Sequence, residues 1–336
     1  MACLVSAYLF PGSFNNGSVL KPSTFLNQVG VPMIFLLSSF SLSADHFLRA
    51  FTSLKLNVFT QAVSFLVFPA VMLVLSKSLL PLLLPPPLIK GMLILSSLPT
   101  TINMCVSLTS LAGGDVPLAI TNACVGNFLG LFLTPLWLGV FFRTGSQPSS
   151  AEAFNVWSAV MSLSNKILLP MVGGQVLRAT PLNGLLLKDK RFPPISKRIQ
   201  ECILLSIVLN AFCNTFTPGS TSVPISYKSF ATLLFLIPVL HVSAFVFVVK
   251  CLTFWGERRG GSPFAASSIV ASALCGSHKT LAFGLPLVKT IFGADPNISL
   301  YSVPILIVHP TQLFLGSLFA KQLLPYVEVE KKKMQE

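Results

Sequence analysis

Acidic residues are scarce in this sequence, which has ten Asp and Glu among 336 residues and only 10% charged residues in all. A soluble globular domain carries about 25% charged residues. The mean hydropathy of +0.77 leaves too little polar surface to cover a water-soluble body of this size. The composition therefore excludes soluble enzymes, disordered proteins and nucleic-acid binders. The net charge of +13 is typical of a membrane protein whose basic loops face anionic lipid.

Motifs for metals, disulfides and catalysis are also missing. The seven cysteines form no C-x-x-C pair, and most lie inside apolar runs, as small buried hydrophobic side chains do. We find no carboxylate dyad, metal cluster or nucleophile–base motif. The sequence therefore predicts neither an enzyme nor a resident cofactor, and it leaves sodium or a proton open as the coupling ion.

Long apolar runs dominate what is present. A helix needs about 20 apolar residues to cross a bilayer. Two regions, 87–112 and 263–292, are apolar but interrupted by Pro and Gly, and residues 1–10 reach half a bilayer. We interpret residues 1–10 as the remnant of a truncated or degenerate first span, with a signal peptide as the alternative. The seven uninterrupted or nearly sufficient runs are 25–43, 57–76, 116–142, 154–177, 202–217, 229–255 and 299–320.

Basic residues are distributed unequally between the predicted loops. Fifteen Lys and Arg fall on the side that holds the C-terminus, and six fall on the opposite side. Cytoplasmic loops of membrane proteins are enriched in Lys and Arg, so the C-terminal tail 323–336 is predicted to be cytoplasmic. Glycosylation sequons at Asn16 and Asn297 then fall on the non-cytoplasmic side.

The two interrupted regions share one layout. In each, apolar runs of about 10–13 residues flank a polar break, at 99–103 and at 276–280, and a long span follows. Irregular backbone at membrane depth must be buried in protein or line a cavity, and paired broken helices are typical of transporter binding sites. Two ordinary kinked helices are the alternative. The layout predicts one all-α domain over 1–336, with five-span repeats, 1–142 and 154–322, in opposite orientations.

Polar side chains near the breaks are the candidates for ion or substrate binding. His278 and Lys279 stand out, because an ionisable group at membrane depth is costly and is usually functional. Lys279 has three interpretations: it binds an anionic group, it replaces a cation electrostatically, or it is a fixed charge that pins the crossover. The other candidates, whose alternative role is interhelical contact, are Thr100, Thr101, Asn103, Thr121, Asn122, Asn127 and, within reach of the cavity, Gln61.

Two more ionisable residues lie inside predicted spans. Lys166 is open to the same functional argument as Lys279, with snorkelling or a shifted span as the alternative. His309, before Pro310, is more typical of a satisfied polar contact than of a ligand.

The sequence resembles the sodium/bile acid symporters, solute carrier family ten, in LPTTINMCVSLTSLAGGD (98–115), GNFLGLFLTPL (126–136), CGSHKTLAFGLPLVKTIFG (275–293) and SVPILIVHPTQLFLGS (302–317). The resemblance implies a ten-span fold in which a core domain, with crossed broken helices, moves against a smaller panel domain. In sodium-coupled members, the first broken helix and the next span supply oxygen ligands. The positions that match those regions here are Thr100, Thr101, Asn103, Thr121 and Asn122.

The sequence departs from the sodium-coupled members at the remaining ligand positions. A glutamate and a glutamine of their second broken helix fall on Cys275 and Lys279 here. A glutamine of their third span falls on Ser64, with Gln61 three residues upstream. No acidic residue occurs anywhere in the region 263–292. We therefore expect neither the family's two-sodium coupling nor bile acid as the substrate.

The resemblance also implies a biological role, since closer relatives within the family suggest intracellular calcium homeostasis and glycan assembly in the secretory pathway. One hypothesis is a secondary transporter of an organic anion or related metabolite, in the endoplasmic reticulum, Golgi or plasma membrane. Lys279 would then be the counter-charge of the substrate. The other is a non-transporting regulator of calcium entry that acts through a partner such as a calcium channel, with the basic loop 178–201 as its contact surface.

Overall fold

The regular elements of the chain are helices throughout the part that the computed structural model describes, residues 2–15, 17, 22–40, 54–143, 156–181, 191–217, 226–258, 264–292, 295 and 297–333. The predicted all-α class is confirmed. The helices are α1 (Ala2–Leu9), α2 (Pro22–Phe25, a π turn at Leu26–Gly30, and Val31–Phe40), α3 (Leu54–Ser78), α4 (Leu80–Leu83), α5 (Pro86–Ser97), α6 (Ile102–Leu111), α7 (Val116–Arg143), α8 (Val156–Leu163, a π turn at Ser164–Leu168, and Leu169–Ala179), α9 (Phe192–Phe216), α10 (Tyr227–Arg258), α11 (Ala266–Ser277), α12 (Leu281–Phe292) and α13 (Ile298–Lys333).

Four helices are both long enough and apolar enough to cross a membrane: α3, α7, α10 and α13. A fifth span results when α5 and α6, which are bent by 64° at the break between them, are counted together. These numbers apply to the described residues only. The chain is a multi-pass membrane protein, and its division into ten spans and two inverted repeats stays a prediction.

Both interrupted regions are broken helices, with breaks at 98–101 and 278–280. The halves are 12 and 10 residues long in the first region and 12 and 12 in the second, which agrees with the predicted lengths. Leu98 is extended because it precedes Pro99, and a residue before proline avoids the helical conformation. His278 is extended as well, and it ends α11.

Two predicted boundaries differ from the structure. The loop 178–201 is helical from Phe192 onward, because Pro193 and Pro194 occupy the first turn of α9, where no backbone N–H is needed. The predicted tail 323–336 is helical as far as Lys333, as a continuation of α13.

The helices form two groups. α2 packs closely against α8, and α1 packs against α9; we call these four helices the panel. Gly174 of α8 allows this approach, since a Cβ there would lie 2.5 Å from the carbonyl oxygen of Leu36. The remaining long helices, which we call the core bundle, include both broken helices.

Two apolar clusters fill the interior of the core bundle, and the breaks join them. Leu98 and Leu281 belong to the larger cluster, which extends into the panel. Cys105 and Leu274 belong to the second. Each broken helix therefore has one half in each cluster, and the polar breaks lie where the two clusters meet.

Candidate binding site at the crossing of the broken helices

The two breaks are in direct contact. The backbone N–H of Thr280 donates a hydrogen bond to the carbonyl oxygen of Pro99 at 2.8 Å. Thr100 and Thr280 are both buried. A buried backbone donor that left its own helix needs another acceptor, and here the first break supplies one for the second. The sequence-predicted sites of the two regions are thus one site.

Lys279 directs its ammonium group toward the first half of the chain. Nζ donates hydrogen bonds to Leu98 O at 2.8 Å and to the O and Oγ atoms of Ser64 at 2.9 and 3.0 Å. The ring centroids of Phe65 and Phe68 lie 5.8 and 5.0 Å from Nζ, within the range at which an aromatic face attracts a cation. The residue is only 4% exposed. Its ammonium group is therefore fully occupied by protein groups.

One face of α7 holds the first break in place. Asn127 donates to the carbonyl oxygen of Thr100 at 2.9 Å, and Thr134 donates to a carbonyl oxygen at the end of α5 at 2.7 Å. Gly130 lies between them against Pro99, where a Cβ would come within 2.8 Å of the Pro99 ring. Spacings of three and four residues place these three positions on one face of a helix.

Gln61 and Asn122 form a second polar contact beside the crossing. Gln61 donates from Nε2 to the backbone oxygen of Asn122 at 2.8 Å, and the Asn122 side chain donates to the Leu118 carbonyl oxygen at 3.2 Å. Gly126 makes room for Gln61, whose Oε1 would lie 3.0 Å from a Cβ at that position. The side chains of Asn122 and Asn127 therefore form hydrogen bonds with different parts of the site.

Three predicted threonines lie close to the crossing but differ in burial. Thr100 and Thr121 are 3% and 2% exposed. The hydroxyl of Thr100 lies 3.4 Å from the Cys105 thiol. Thr101 is half-buried and immediately precedes α6, without a capping hydrogen bond from its side chain.

Asn103 faces the panel rather than the crossing. Its amide donates to Gln200 Oε1 at 2.9 Å, and the same oxygen accepts a hydrogen bond from Ser38 at 2.7 Å. One turn further along, Lys197 donates to Ser107 Oγ at 3.0 Å. These contacts close the interface between the core bundle and the panel on the side that the distribution of basic residues predicts to be cytoplasmic.

His278 lies beside two residues that the sequence analysis did not select. Its Nδ1 is 2.7 Å from the carbonyl oxygen of Leu274, and its ring meets that of His241 edge to face at 4.8 Å. Gln312 accepts from the backbone N–H of Lys279 at 3.2 Å. His241 was detectable, since it is an ionisable residue inside the predicted span 229–255.

His309 and Lys166 have separate surroundings. His309 is half-buried, and its Nδ1 has no hydrogen-bond partner among the described residues. Lys166 lies in the π turn of α8 and donates to Thr290 Oγ1 at 2.7 Å. Neither residue contacts Lys279.

Cys275 occupies the position that the resemblance assigns to a glutamate. It is buried, and its thiol lies 3.6 Å from the carbonyl oxygen of Ala119. Across the described residues, no group of three or more His, Cys, Asp or Glu side chains is arranged to hold a metal ion.

A cavity of about 160 Å³, with both polar and apolar lining residues, opens between the panel and the core bundle. Its walls come from α2 and α9 on one side and from α12 and the start of α13 on the other. Each of these helix ends is predicted to be non-cytoplasmic, so the cavity lies opposite the closed interface at Gln200. The lining residues with polar or charged side chains are Asn27, Asn210, Asn214, Lys289, Ser299 and Ser302.

Lys289 supplies the positive charge of this cavity. Within the described part of the chain, it has neither an ion-pair nor a hydrogen-bond partner. Lys166 lies close enough for the two charges to repel. Two neighbouring cations without a carboxylate are unfavourable, and an anion bound between them would remove the repulsion. Lys289 lies in the last turn of α12, within the predicted broken region 263–292.

The similarity to known proteins covers nearly the whole chain. The profile of the SBF-like CPA transporter family matches residues 1–324. The chain belongs to the SBF-like CPA transporter family. Among its relatives are the sodium/bile acid cotransporter 7 proteins of Danio rerio and Mus musculus, at 31% and 30% identity over 96% and 93% of this chain and 90% and 87% of theirs. An uncharacterised protein of Pseudomonas aeruginosa is 28% identical over 96% of this chain and 90% of its own length.

Membership of the SBF-like CPA transporter family confirms the resemblance found in the sequence. It implies a lipid bilayer as the environment and an ion or a small molecule as the substrate.

Proposed function

We propose that this protein is a secondary transporter of an organic anion and that it works by alternating access about the crossed breaks. The observation that carries the proposal is the direct contact between the breaks, the hydrogen bond from Thr280 to Pro99. It supports a transporter because non-helical backbone at membrane depth is typical of substrate sites.

The cavity at Lys289 supports an anionic substrate. An unpaired lysine, amides and hydroxyls suit a carboxylate or a phosphate ester, and Leu285 and Ile298 suit an apolar part of the molecule. Lys279 was the counter-charge in the sequence-based hypothesis. Its ammonium group already has three protein acceptors, so we assign the counter-charge to Lys289 instead.

Alternating access requires the panel and the core bundle to separate on one side at a time. The Asn103–Gln200 and Ser107–Lys197 hydrogen bonds close one side, and the cavity at Lys289 is open on the other. We interpret this arrangement as a conformation open to the non-cytoplasmic side. Transport would then require these two hydrogen bonds to break.

Uptake of a mixture of carboxylate and phosphate-ester metabolites into proteoliposomes, with sodium or choline as the cation, tests the proposal. We expect accumulation of at least one anion with either cation. Lys289→Gln should lower its uptake by about tenfold or more, because a charge-assisted contact is lost. Lys77→Gln, at an exposed lysine of α3, is the matched control. No accumulation of any anion by the wild-type protein would contradict the proposal.

We further propose that this transport contributes to intracellular calcium homeostasis and secretory-pathway glycan assembly, in the endoplasmic reticulum, Golgi or plasma membrane. The support is the similarity to the sodium/bile acid cotransporter 7 proteins. The competing function is regulation of calcium entry through a channel partner by the basic segment 178–201, of which residues 182–190 lie outside the described part.

Calcium entry in cells that lack the protein separates the two functions. Complementation with Lys289→Gln should fail if transport is what matters. Complementation with a variant in which Lys188, Lys190 and Arg198 are neutralised should then succeed, because Arg178 and Lys197 keep their hydrogen bonds. The opposite pattern would favour the regulator.

A further inference from the structure

Three oxygen atoms surround the Lys279 ammonium group, and two of them lack a helical hydrogen-bond donor for identifiable reasons. Ser64 lies in the π turn Val63–Val67, in which the Phe68 N–H donates to Val63 O instead of to Ser64 O. The next donor in line would be residue 69, which is a proline and has no N–H. Leu98 follows the last turn of α5, where the carbonyl groups have no intrahelical donors.

The site is polar but carries no negative charge. Its oxygens belong to two backbone carbonyls and one hydroxyl, at 2.8, 2.9 and 3.0 Å from Nζ. None of the acidic residues whose side chains are described bonds to Lys279; they are Asp115, Glu201, Asp295 and Glu328. Neutral oxygens and aromatic faces favour a single positive charge, and an ammonium group has three N–H donors for the three acceptors.

We propose that the Lys279 ammonium group is a built-in cation, which permanently fills a site for a monovalent cation between α3 and the two breaks. It links the carbonyl of Ser64 to that of Leu98, as a free ion would, and it excludes a dissolved ion from the same place by repulsion. The consequence for transport, a cycle that needs no sodium, rests on the proposed function. The site itself does not, and it is tested without transport.

The first test measures the thermal unfolding midpoint of the purified wild-type protein in detergent. Sodium chloride is exchanged for choline chloride at constant ionic strength. We expect a change below about 1 °C, because a ligand stabilises only a protein that has a vacant site for it. A saturable increase with sodium would overturn the proposal, whether or not the protein transports anything.

The second test replaces the tethered cation with a free one. Lys279→Ala removes three methylenes and the ammonium group, which together have the size of n-propylammonium. We expect the midpoint to fall by about 5 °C or more, since buried acceptors lose their donor. Added n-propylammonium should restore part of the loss, and n-propanol, which has nearly the same shape but no charge, should restore much less.

Two comparisons separate charge from packing. Lys279→Met keeps most of the side-chain volume but has no charge, and we expect it to lower the unfolding midpoint nearly as much as Lys279→Ala does. Lys77→Ala, at an exposed lysine, is the control and should leave the midpoint unchanged. A wild-type midpoint for Lys279→Met would overturn the proposal. Equal restoration of Lys279→Ala by n-propanol and by n-propylammonium would overturn it as well.

Discussion

At the residue scale, two lysines near the broken helix α11–α12 have opposite surroundings. Lys279 is buried among three acceptors and two aromatic rings. Lys289 lines a cavity and has no partner among the described side chains. The sequence places Lys279 in the polar break 276–280 and Lys289 in the apolar run that follows it, but it does not show which of the two faces a cavity. The contacts separate them, and on that basis we propose an internal role for Lys279 and substrate binding for Lys289.

Gly130 gives a prediction that depends on a single methyl group. In Gly130→Ala, the new Cβ would lie 2.8 Å from the Pro99 ring, which is fixed to the backbone of the break and is not free to rotate away. We expect a loss of about 1–3 kcal/mol in stability, measured as a lower thermal midpoint in detergent.

Gly173→Ala is the matched control for Gly130→Ala. Gly173 is also a helical glycine, but nothing lies within 4 Å of the position its Cβ would take. The substitution should be neutral or stabilising by up to about 1 kcal/mol, as expected from helix propensity. Equal effects of the two substitutions would show that the Pro99 contact does not hold the break.

At the element scale, the positions of both breaks were predictable, whereas their partners were not. Pro99 and the polar run 276–280 interrupt apolar helices, and this local signal predicts where each helix ends. The contact of Lys279 with Ser64 joins residues 215 positions apart. It also depends on a π turn, which no apolar periodicity encodes. The first turns of α9 carry Lys197, Arg198 and Glu201, so hydropathy predicts a loop where the structure has a helix from Phe192.

The interface between α6 and α9 supplies an element-scale prediction. Gln200→Leu removes the acceptor shared by Asn103 and Ser38, so the panel should separate more often from the core bundle on this side. A cysteine introduced as Ser107→Cys, with exposed Cys202 changed to Ser, should then react several-fold faster with a maleimide reagent.

Gln175→Leu is the control for the Gln200 substitution. Gln175 donates to Ser39 O at 2.6 Å, a contact inside the panel, so its loss should leave the accessibility of the cysteine at 107 unchanged. An unchanged rate in Gln200→Leu would mean that this hydrogen bond does not keep the interface closed.

At the scale of the whole molecule, the charge asymmetry predicts which side of the membrane the cavity faces. The basic residues predict which helix ends are cytoplasmic. The polar residues of the cavity, from Asn27 in α2 to Ser302 in α13, all lie at helix ends assigned to the other side. The charge count therefore decides which side of the membrane the cavity faces. The sequon at Asn297 lies on the cavity side too, whereas Asn16 is outside the described residues.

This orientation predicts how sealed microsomes respond to an added protease. An epitope after residue 336 should be digested, because fifteen of the basic residues place that end in the cytoplasm. An epitope inserted in the segment 144–155, on the side with six, should resist digestion until detergent opens the vesicles. Immunoblotting of the two tagged proteins in parallel provides the measurement, and each serves as the control for the other. Digestion of the 144–155 epitope in sealed vesicles would reverse the orientation, and the cavity at Lys289 would then face the cytoplasm.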